Sequence, residues 1–283
     1  PTQAICIVLG VPEEDRLTLA DWIDHGIAAP SDEVIAEEYV RKVRRYAQGL
    51  IEAKRAAPQP DIFSTIVHAR FAADGSTLSD HELRSFFGLL FPAGAETTTR
   101  AISGGLLSFM QAPAQWARLQ NDPALMRTAV EEIVRWTTPS CYKRRTATRD
   151  LSFAGKRIRE GDKVTFWEMS ANRDERMFER PFEFDIARNP NKHLGFGAGV
   201  HFCLGSSLAR LELRVVFEEL LASRLGFDAA RILARATDVS REEGVKALAD
   251  AAFERFGGVH LLCNNAGVGL TRVSWELSTA DWN

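Results

Sequence analysis

Along most of the chain, apolar residues recur at the three- and four-residue spacing that is typical of amphipathic helices. Clusters of Pro, Gly, Asp and Ser separate these stretches and mark helix ends. We expect residues 1–10 to be the end of a helix. Further helices are expected from the turn at Val11–Asp15 to about His25, from Ser31 to about Lys54, from Asp61 to Arg70, from Ser79 onward, from Pro113 to Gln120 and from Ala124 to Thr138. Two short strands, Leu151–Phe153 and Lys163–Trp167, follow. The pattern predicts a mainly α fold.

The helix that starts near Ser79 is apolar on every face, and a helix of this kind crosses a protein core. Pro92 lacks an N–H group and crowds the preceding turn, so we expect the helix to bend or open near Gly94. Glu96 and Thr97 follow at that weak point. Buried polar groups need partners. The threonine hydroxyl either bonds back to the preceding turn or serves a function, and the pattern leaves both open.

A lone cysteine, Cys203, lies in the glycine-rich loop Phe196–Gly205, directly before a helix over Ser206–Leu221. Apolar residues fall on two faces of that helix, so we expect it to be buried on much of its circumference. The N–H groups and dipole at a helix start favour a thiolate, and glycines let the backbone approach closely. Such a thiolate can bind a soft metal or haem iron. A buried free cysteine in a glycine-rich turn is the alternative.

Composition narrows the class of protein. The 283 residues carry a formal charge of −3 and are 45% hydrophobic, which suits one or two domains with a core and gives no basic surface for nucleic acid. The four cysteines lie far apart without a Cys-x-x-Cys pair, so neither a zinc site nor a disulfide framework is indicated. We therefore expect a cytoplasmic protein, with no signal peptide or membrane-spanning run evident. Because the sequence begins at Pro1 inside an apolar segment, we interpret it as a piece of a longer chain.

Three motifs in one order carry a family resemblance. They are Ala-Gly-x-Glu-Thr-Thr at 93–98, Glu-x-x-Arg at 132–135 and Phe-x-x-Gly-x-His-x-Cys-x-Gly at 196–205. Together they resemble the cytochromes P-450, over residues 1 to about 222 and without the N-terminal part of that family's fold. The resemblance implies a haem-thiolate monooxygenase of bacterial type. Such an enzyme holds haem b and hydroxylates an apolar small molecule, using dioxygen and electrons from a ferredoxin-type donor.

The resemblance also implies roles for particular residues. Cys203 would ligate the iron, while Thr97 would hydrogen-bond the dioxygen and Glu96 would relay protons to it. The family more often has Asp at the position of Glu96. Arg145, with Arg144 as the fallback, and His201 would contact the haem propionates. The remaining members of the cofactor-binding set are Phe196, Gly197 and Gly205.

Glu132 and Arg135 are three residues apart and share a helix face, which by itself is a weak signal because any surface helix offers such pairs. By the resemblance, they form a structural pair behind the haem. A later arginine usually completes this pair, and we expect its position at Glu183, where the chain departs from the family pattern.

From about residue 223 the pattern changes to a short α/β, Rossmann-like piece, so we divide the chain into domains 1–222 and 223–283, with the junction between Leu221 and Arg231. Arg231–Val239 and Val259–Cys263 are predicted strands, and a helix follows Ser240. With Asn264–Gly267 after the second strand, this piece resembles a short-chain dehydrogenase truncated at both ends.

The tail lacks the parts that such a dehydrogenase needs. No G-x-G-x-x-G phosphate loop and no Tyr-x-x-x-Lys pair occur in the sequence, so no NAD(P) is expected. Three hypotheses remain open from the sequence. They are a haem-thiolate monooxygenase, whose activity the truncation either impairs or leaves intact, an NAD(P)-dependent short-chain dehydrogenase, and a catalytically inert fusion.

Overall fold

The computed structural model describes residues 1–28, 33–223, 233 and 242–258. These residues are mainly helical, as predicted. The helices are α1 (Thr2–Val8), α2 (Arg16–Ala28), α3 (Glu33–Ala56), α4 (Ile62–His68), α5 (Asp80–Gln111), α6 (Pro113–Asn121), α7 (Met126–Thr137), α8 (Glu168–Ala171), α9 (Ser206–Ala222) and α10 (Glu242–Phe256). The strands are β1 (Tyr142–Thr146), β2 (Leu151–Phe153), β3 (Lys156–Ile158) and β4 (Lys163–Trp167). The chain divides into two compact units between Glu96 and Thr97, within α5.

The first unit is built on aromatic packing among α3, α4 and the first half of α5. The Phe87 ring lies 5.3 Å from Phe63, 5.7 Å from Phe91 and 5.9 Å from Tyr46, between ring centroids. All three phenylalanines are fully buried. Contacts of this kind stabilise a core beyond the area that they bury.

Helix α5 begins with a capping box. The Ser79 N–H donates to Glu82 Oε2 at 2.8 Å, and the Glu82 N–H donates to Ser79 Oγ at 3.3 Å. The helix runs unbroken through Pro92, so the opening that we expected near Gly94 does not appear as a break. Gly94 has a packing role instead, since a Cβ there would lie 2.7 Å from Ile5 Cγ1.

In the described part of the second unit, a core is formed by the second half of α5 with α6, α7 and α9. The Phe109 ring contacts the rings of Trp116, Phe184 and Phe217 at 5.0, 5.2 and 5.5 Å. A Cβ on Gly105 would lie 2.9 Å from Ile133 Cγ2, so this glycine lets α7 pack closely on α5.

The two apolar faces of helix α9 differ in burial. Leu213 and Phe217 are fully buried, whereas Leu211 and Val215 are 47% and 45% exposed. The expectation that this helix is buried on much of its circumference is therefore wrong for the face that carries Leu211 and Val215, whereas the face with Leu213 and Phe217 packs on α5 and α7.

Two small antiparallel pairs follow α7. Strand β1 pairs with β4, with Arg145 opposite Val164, and β2 pairs with β3. Beyond α9, helix α10 confirms the helix predicted after Ser240, and Gly257, with φ +75°, follows its last residue. Apart from residue 233, the predicted strands of the tail and its Asn264–Gly267 turn lie outside the described residues. Within the residues that are described, no helix combines the length and the apolar character needed to cross a membrane.

Candidate functional site

The cysteine loop closes on itself through backbone hydrogen bonds. The Cys203 N–H donates to the Phe196 carbonyl at 2.8 Å, and the Gly197 N–H donates to the Leu194 carbonyl at 2.8 Å. Gly197 and Gly199 have φ of +71° and +66°, in the left-handed region that glycine adopts without strain. The glycine pattern therefore reflects a local backbone requirement, and it leaves Cys203 exposed at the tip of the loop.

The start of the loop is fixed against helix α7. Phe196 lies in the core of the second unit, and a Cβ on Gly195 would lie 2.6 Å from Val134 Cγ1. The Leu194 N–H donates to Asn172 Oδ1 at 2.7 Å, and Asn172 is fully buried. The loop thus has a rigid base and an exposed tip.

The end of the loop leads directly into α9. Gly205 is the N-cap residue of this helix, and the Ser206 N–H donates to the Cys203 carbonyl at 3.3 Å. One turn further, the Arg210 guanidinium lies 4.3 Å from the centre of the Phe196 ring, a cation–π contact that ties the helix to the base of the loop.

An ionic cluster beneath the loop joins α7, α9 and the segment before the loop. Glu131 accepts hydrogen bonds from Arg210 Nε at 2.6 Å and from His193 Nε2 at 3.0 Å. The Gly195 N–H donates to His193 Nδ1, which leaves the imidazole proton on Nε2, facing Glu131. Burial disfavours the charged carboxylate, but these hydrogen bonds and the charge of Arg210 outweigh burial and lower the pKa of Glu131 to about 2.

This cluster predicts a pH-dependent contribution to stability. A carboxylate whose folded-state pKa is lowered stabilises the fold fully above its ordinary value of 4.5, and loses that contribution as the pH falls towards about 2. Urea titrations should therefore show Glu131→Gln as less stable than the parent at pH 6, with the difference vanishing towards pH 2. Glu218→Gln, at a half-exposed position of α9, is the control. A difference that stays constant across this range would contradict the assignment.

A second, fully buried charge network surrounds Glu132. Its carboxylate accepts hydrogen bonds from Arg135 Nε and Nη2, both at 2.8 Å, so the predicted Glu-x-x-Arg pair forms in a bidentate arrangement. Arg188 Nε adds contacts at 3.1 and 3.3 Å. The guanidinium groups also donate to backbone carbonyls, Arg135 to those of residues 172, 181 and 183 and Arg188 to those of residues 179, 180 and 183. The network therefore fixes the segment that leads to the loop.

The third member of this network is Arg188, and our placement of it at Glu183 is wrong. The Glu183 side chain is exposed and pairs with Arg180 at 2.8 Å, while its backbone carbonyl serves the network. The sequence offers no signal for Arg188, because several arginines occur in the same segment and only burial distinguishes them.

The other predicted site residues lie on separate elements. On α5, Glu96 belongs to the first unit and Thr97 to the second, and both are half-buried. Arg145 is exposed on β1, with its guanidinium 5.5 Å from the centre of the Phe166 ring. His201 is exposed in the short turn before Cys203. The structure thus brings His201 and Cys203 into one loop with Phe196 and the glycines.

The chemistry of the loop suits an apolar group that is held through a single sulfur. Val200, Phe202 and Leu204 are 98%, 52% and 75% exposed around Cys203, so the tip presents apolar side chains beside one thiol. Among the described residues, no group of three or more His, Cys, Asp or Glu side chains could hold a metal ion. A haem bound through one thiolate fits this donor set, whereas an ion that needs several protein ligands does not.

Comparison with known proteins identifies the family. The family model for Cytochrome P450 matches residues 28–223, more than half of the chain, and the chain therefore belongs to the cytochrome P450 family. A second family model, for short chain dehydrogenase, matches residues 197–283. Membership implies haem b as the cofactor, and members generally use redox partners and dioxygen on apolar substrates.

Among curated proteins, a Mycobacterium tuberculosis cytochrome P450 designated 126 is 48% identical, over 88% of this chain and 61% of its own length. The methyl-branched lipid omega-hydroxylase of Mycobacterium bovis is 44% identical, over 78% of this chain and 53% of its own. Among solved structures, cytochrome P450 PksS of Bacillus subtilis superposes with a TM-score of 0.74 at 37% identity, covering 78% of this chain and 57% of that one. The chain thus spans between half and two thirds of these relatives.

Proposed function

We propose that the chain is the haem-binding part of a haem-thiolate monooxygenase, with Cys203 as the iron ligand. The observation that carries the proposal is the loop itself, which presents one exposed thiol among apolar side chains on a base fixed by Phe196 and Gly195. Bound there, the haem would supply the redox chemistry that activates dioxygen.

The other predicted residues have supporting roles in this proposal. Thr97 would donate a hydrogen bond from its hydroxyl to the dioxygen, and Glu96, one residue before it on α5, would relay protons from water to the same oxygen. Arg145 and His201 are exposed cationic or hydrogen-bonding groups, which suits the two propionates. Phe196, Gly197 and Gly205 shape the loop.

The substrate class follows from the relatives. One curated relative is a methyl-branched lipid omega-hydroxylase, another is a steroid C26-monooxygenase of Rhodococcus jostii, and a similar solved structure of Bacillus megaterium holds testosterone. We infer an apolar substrate that is hydroxylated, with electrons from a ferredoxin-type donor. The three described cysteines are free thiols, which suits a reducing cytoplasm.

We infer that residues 223–283 form a separate, short-chain dehydrogenase-like piece joined to residues 1–222. Helix α10 and the second family match support this division. The absent phosphate loop and Tyr-x-x-x-Lys pair argue against NAD(P) binding and against a dehydrogenase as the activity of the chain.

The test is a spectrum of the purified chain after haem is added, reduced and exposed to carbon monoxide. We expect a Soret band at the position of thiolate-ligated haem. A spectrum without that band would contradict the proposed function and leave the inert fusion as the explanation.

A further inference from the structure

Helix α3 carries a half-buried tyrosine, Tyr39, whose hydroxyl oxygen is buried and lacks a partner among the described residues. The Tyr39 Oη atom is buried, and the described structure gives it no hydrogen bond. Tyr46, two turns further along the same helix, donates its hydroxyl to Asp15 Oδ2 at 2.8 Å. Buried tyrosine hydroxyls usually find a partner, because leaving one unpaired costs free energy. We therefore expect the Tyr39 hydroxyl to bond a group other than the described protein atoms, such as a water molecule.

The register between α3 and α5 indicates what faces Tyr39. The two helices run antiparallel, since Arg55 pairs with Asp80 at 2.6 Å while the earlier Tyr46 meets the later Phe87, with ring centroids 5.9 Å apart. Tyr39 precedes Tyr46 on α3, and Glu96 follows Phe87 on α5. The antiparallel register therefore places Tyr39 and Glu96 on the same side of this ring pair.

Electrostatics agree with this register. Burial is the main cause that raises the pKa of Tyr39, and the negative charge of Glu96 is the second. The two side chains are thus near enough to interact, yet Tyr39 Oη makes no direct hydrogen bond to the carboxylate. Two polar groups that interact without a direct hydrogen bond can share a bridging water molecule.

We propose that Tyr39 is a positioning residue for Glu96, acting through one water molecule that its hydroxyl and the Glu96 carboxylate share. This inference rests on the proposed function, in which Glu96 relays protons. The shared water limits the orientations of the carboxylate and supplies it with a proton donor. Without the Tyr39 hydroxyl, protons reach the bound dioxygen more slowly. More of the dioxygen is then reduced by two electrons and two protons and released as hydrogen peroxide.

The first test needs no haem. A double-mutant cycle with Tyr39→Phe and Glu96→Gln measures their coupling in the unfolding equilibrium constant of the apo chain. We expect the two changes to depart from additivity by at least about twofold, as for residues that share a hydrogen-bond network. Tyr46→Phe combined with Glu96→Gln is the matched control, because it removes a hydroxyl from the same helix that already has a partner, and this pair should be additive. An additive Tyr39–Glu96 cycle overturns the proposal.

The second test has a readout that a merely structural role would not move. In the haem-loaded chain, Tyr39→Phe should raise the fraction of electrons recovered as peroxide several-fold, while the carbon monoxide band stays unchanged. Tyr46→Phe should leave that fraction at the parent level. An unchanged peroxide fraction in Tyr39→Phe overturns the positioning role. If the parent chain gives no thiolate band, the proposed function fails, and the haem-free cycle still decides the Tyr39–Glu96 contact.

Discussion

Replacing Cys203 with serine is expected to abolish the thiolate-type carbon monoxide band completely. A serine hydroxyl keeps its proton at neutral pH and is a poor ligand for iron, so no strong axial bond forms. The loop itself should survive, because its closing hydrogen bond runs from the backbone N–H of residue 203 to the Phe196 carbonyl and does not involve the sulfur.

The matched control for this variant is Cys141→Ser. Cys141 is a second described thiol in the same unit, half-buried, with its Sγ donating weakly to the Thr138 carbonyl at 3.7 Å. Its replacement should leave the thiolate band intact. Difference spectra of the parent and both variants, with circular dichroism to verify folding, decide the assignment. A thiolate band that persists in Cys203→Ser would exclude Cys203 as the ligand.

The cysteine loop could be predicted from sequence because its requirements are local. Two glycines with positive φ, a cysteine and a following helix occupy consecutive positions, and each has a residue-type signature. The helix start at Ser79 is recognisable for the same reason, since its capping contacts lie within one helical turn.

Features that depend on tertiary packing could not be predicted in this way. The side chains of Arg176, Arg180 and Arg188 look alike in sequence, yet they are 88%, 55% and 7% exposed. Only the fold decides which of them reaches Glu132. Likewise, the apolar pattern of α9 does not reveal that Leu211 remains exposed, because a periodic pattern shows which faces can be buried and not whether a partner exists for each.

The fully buried network predicts the largest loss of stability in the chain. Glu132→Gln removes the single negative charge that Arg135 and Arg188 share, leaving two buried guanidinium groups without a counter-ion. Breaking a buried pair by removing one partner costs about 3–5 kcal/mol, a large part of the about 5–15 kcal/mol that holds a typical domain folded. Urea titration at pH 7 should report a loss in that range.

The neighbouring acid provides the matched control. Glu131→Gln makes the same chemical change one position earlier on α7, but at a side chain that is 25% exposed and faces Arg210 at the surface. Its cost at pH 7 should be the smaller of the two, because this carboxylate is partly exposed and water can replace some of its lost hydrogen bonds. Equal losses in the two variants would mean that burial of the Glu132 network does not determine its strength.

Glu132→Gln should also destabilise the segment that leads to the candidate haem loop. Arg135 and Arg188 together bind carbonyls between residues 172 and 183, and the Asp185 N–H donates to Glu132 Oε1 at 2.9 Å. Asn191 Nδ2 also donates to this carboxylate, three residues before Leu194 at the base of the loop. Glu132→Gln should therefore increase amide hydrogen exchange from about residue 179 through the loop, while α3 keeps its protection. Unchanged exchange in the loop would show that Phe196 and its core contacts hold it without the network.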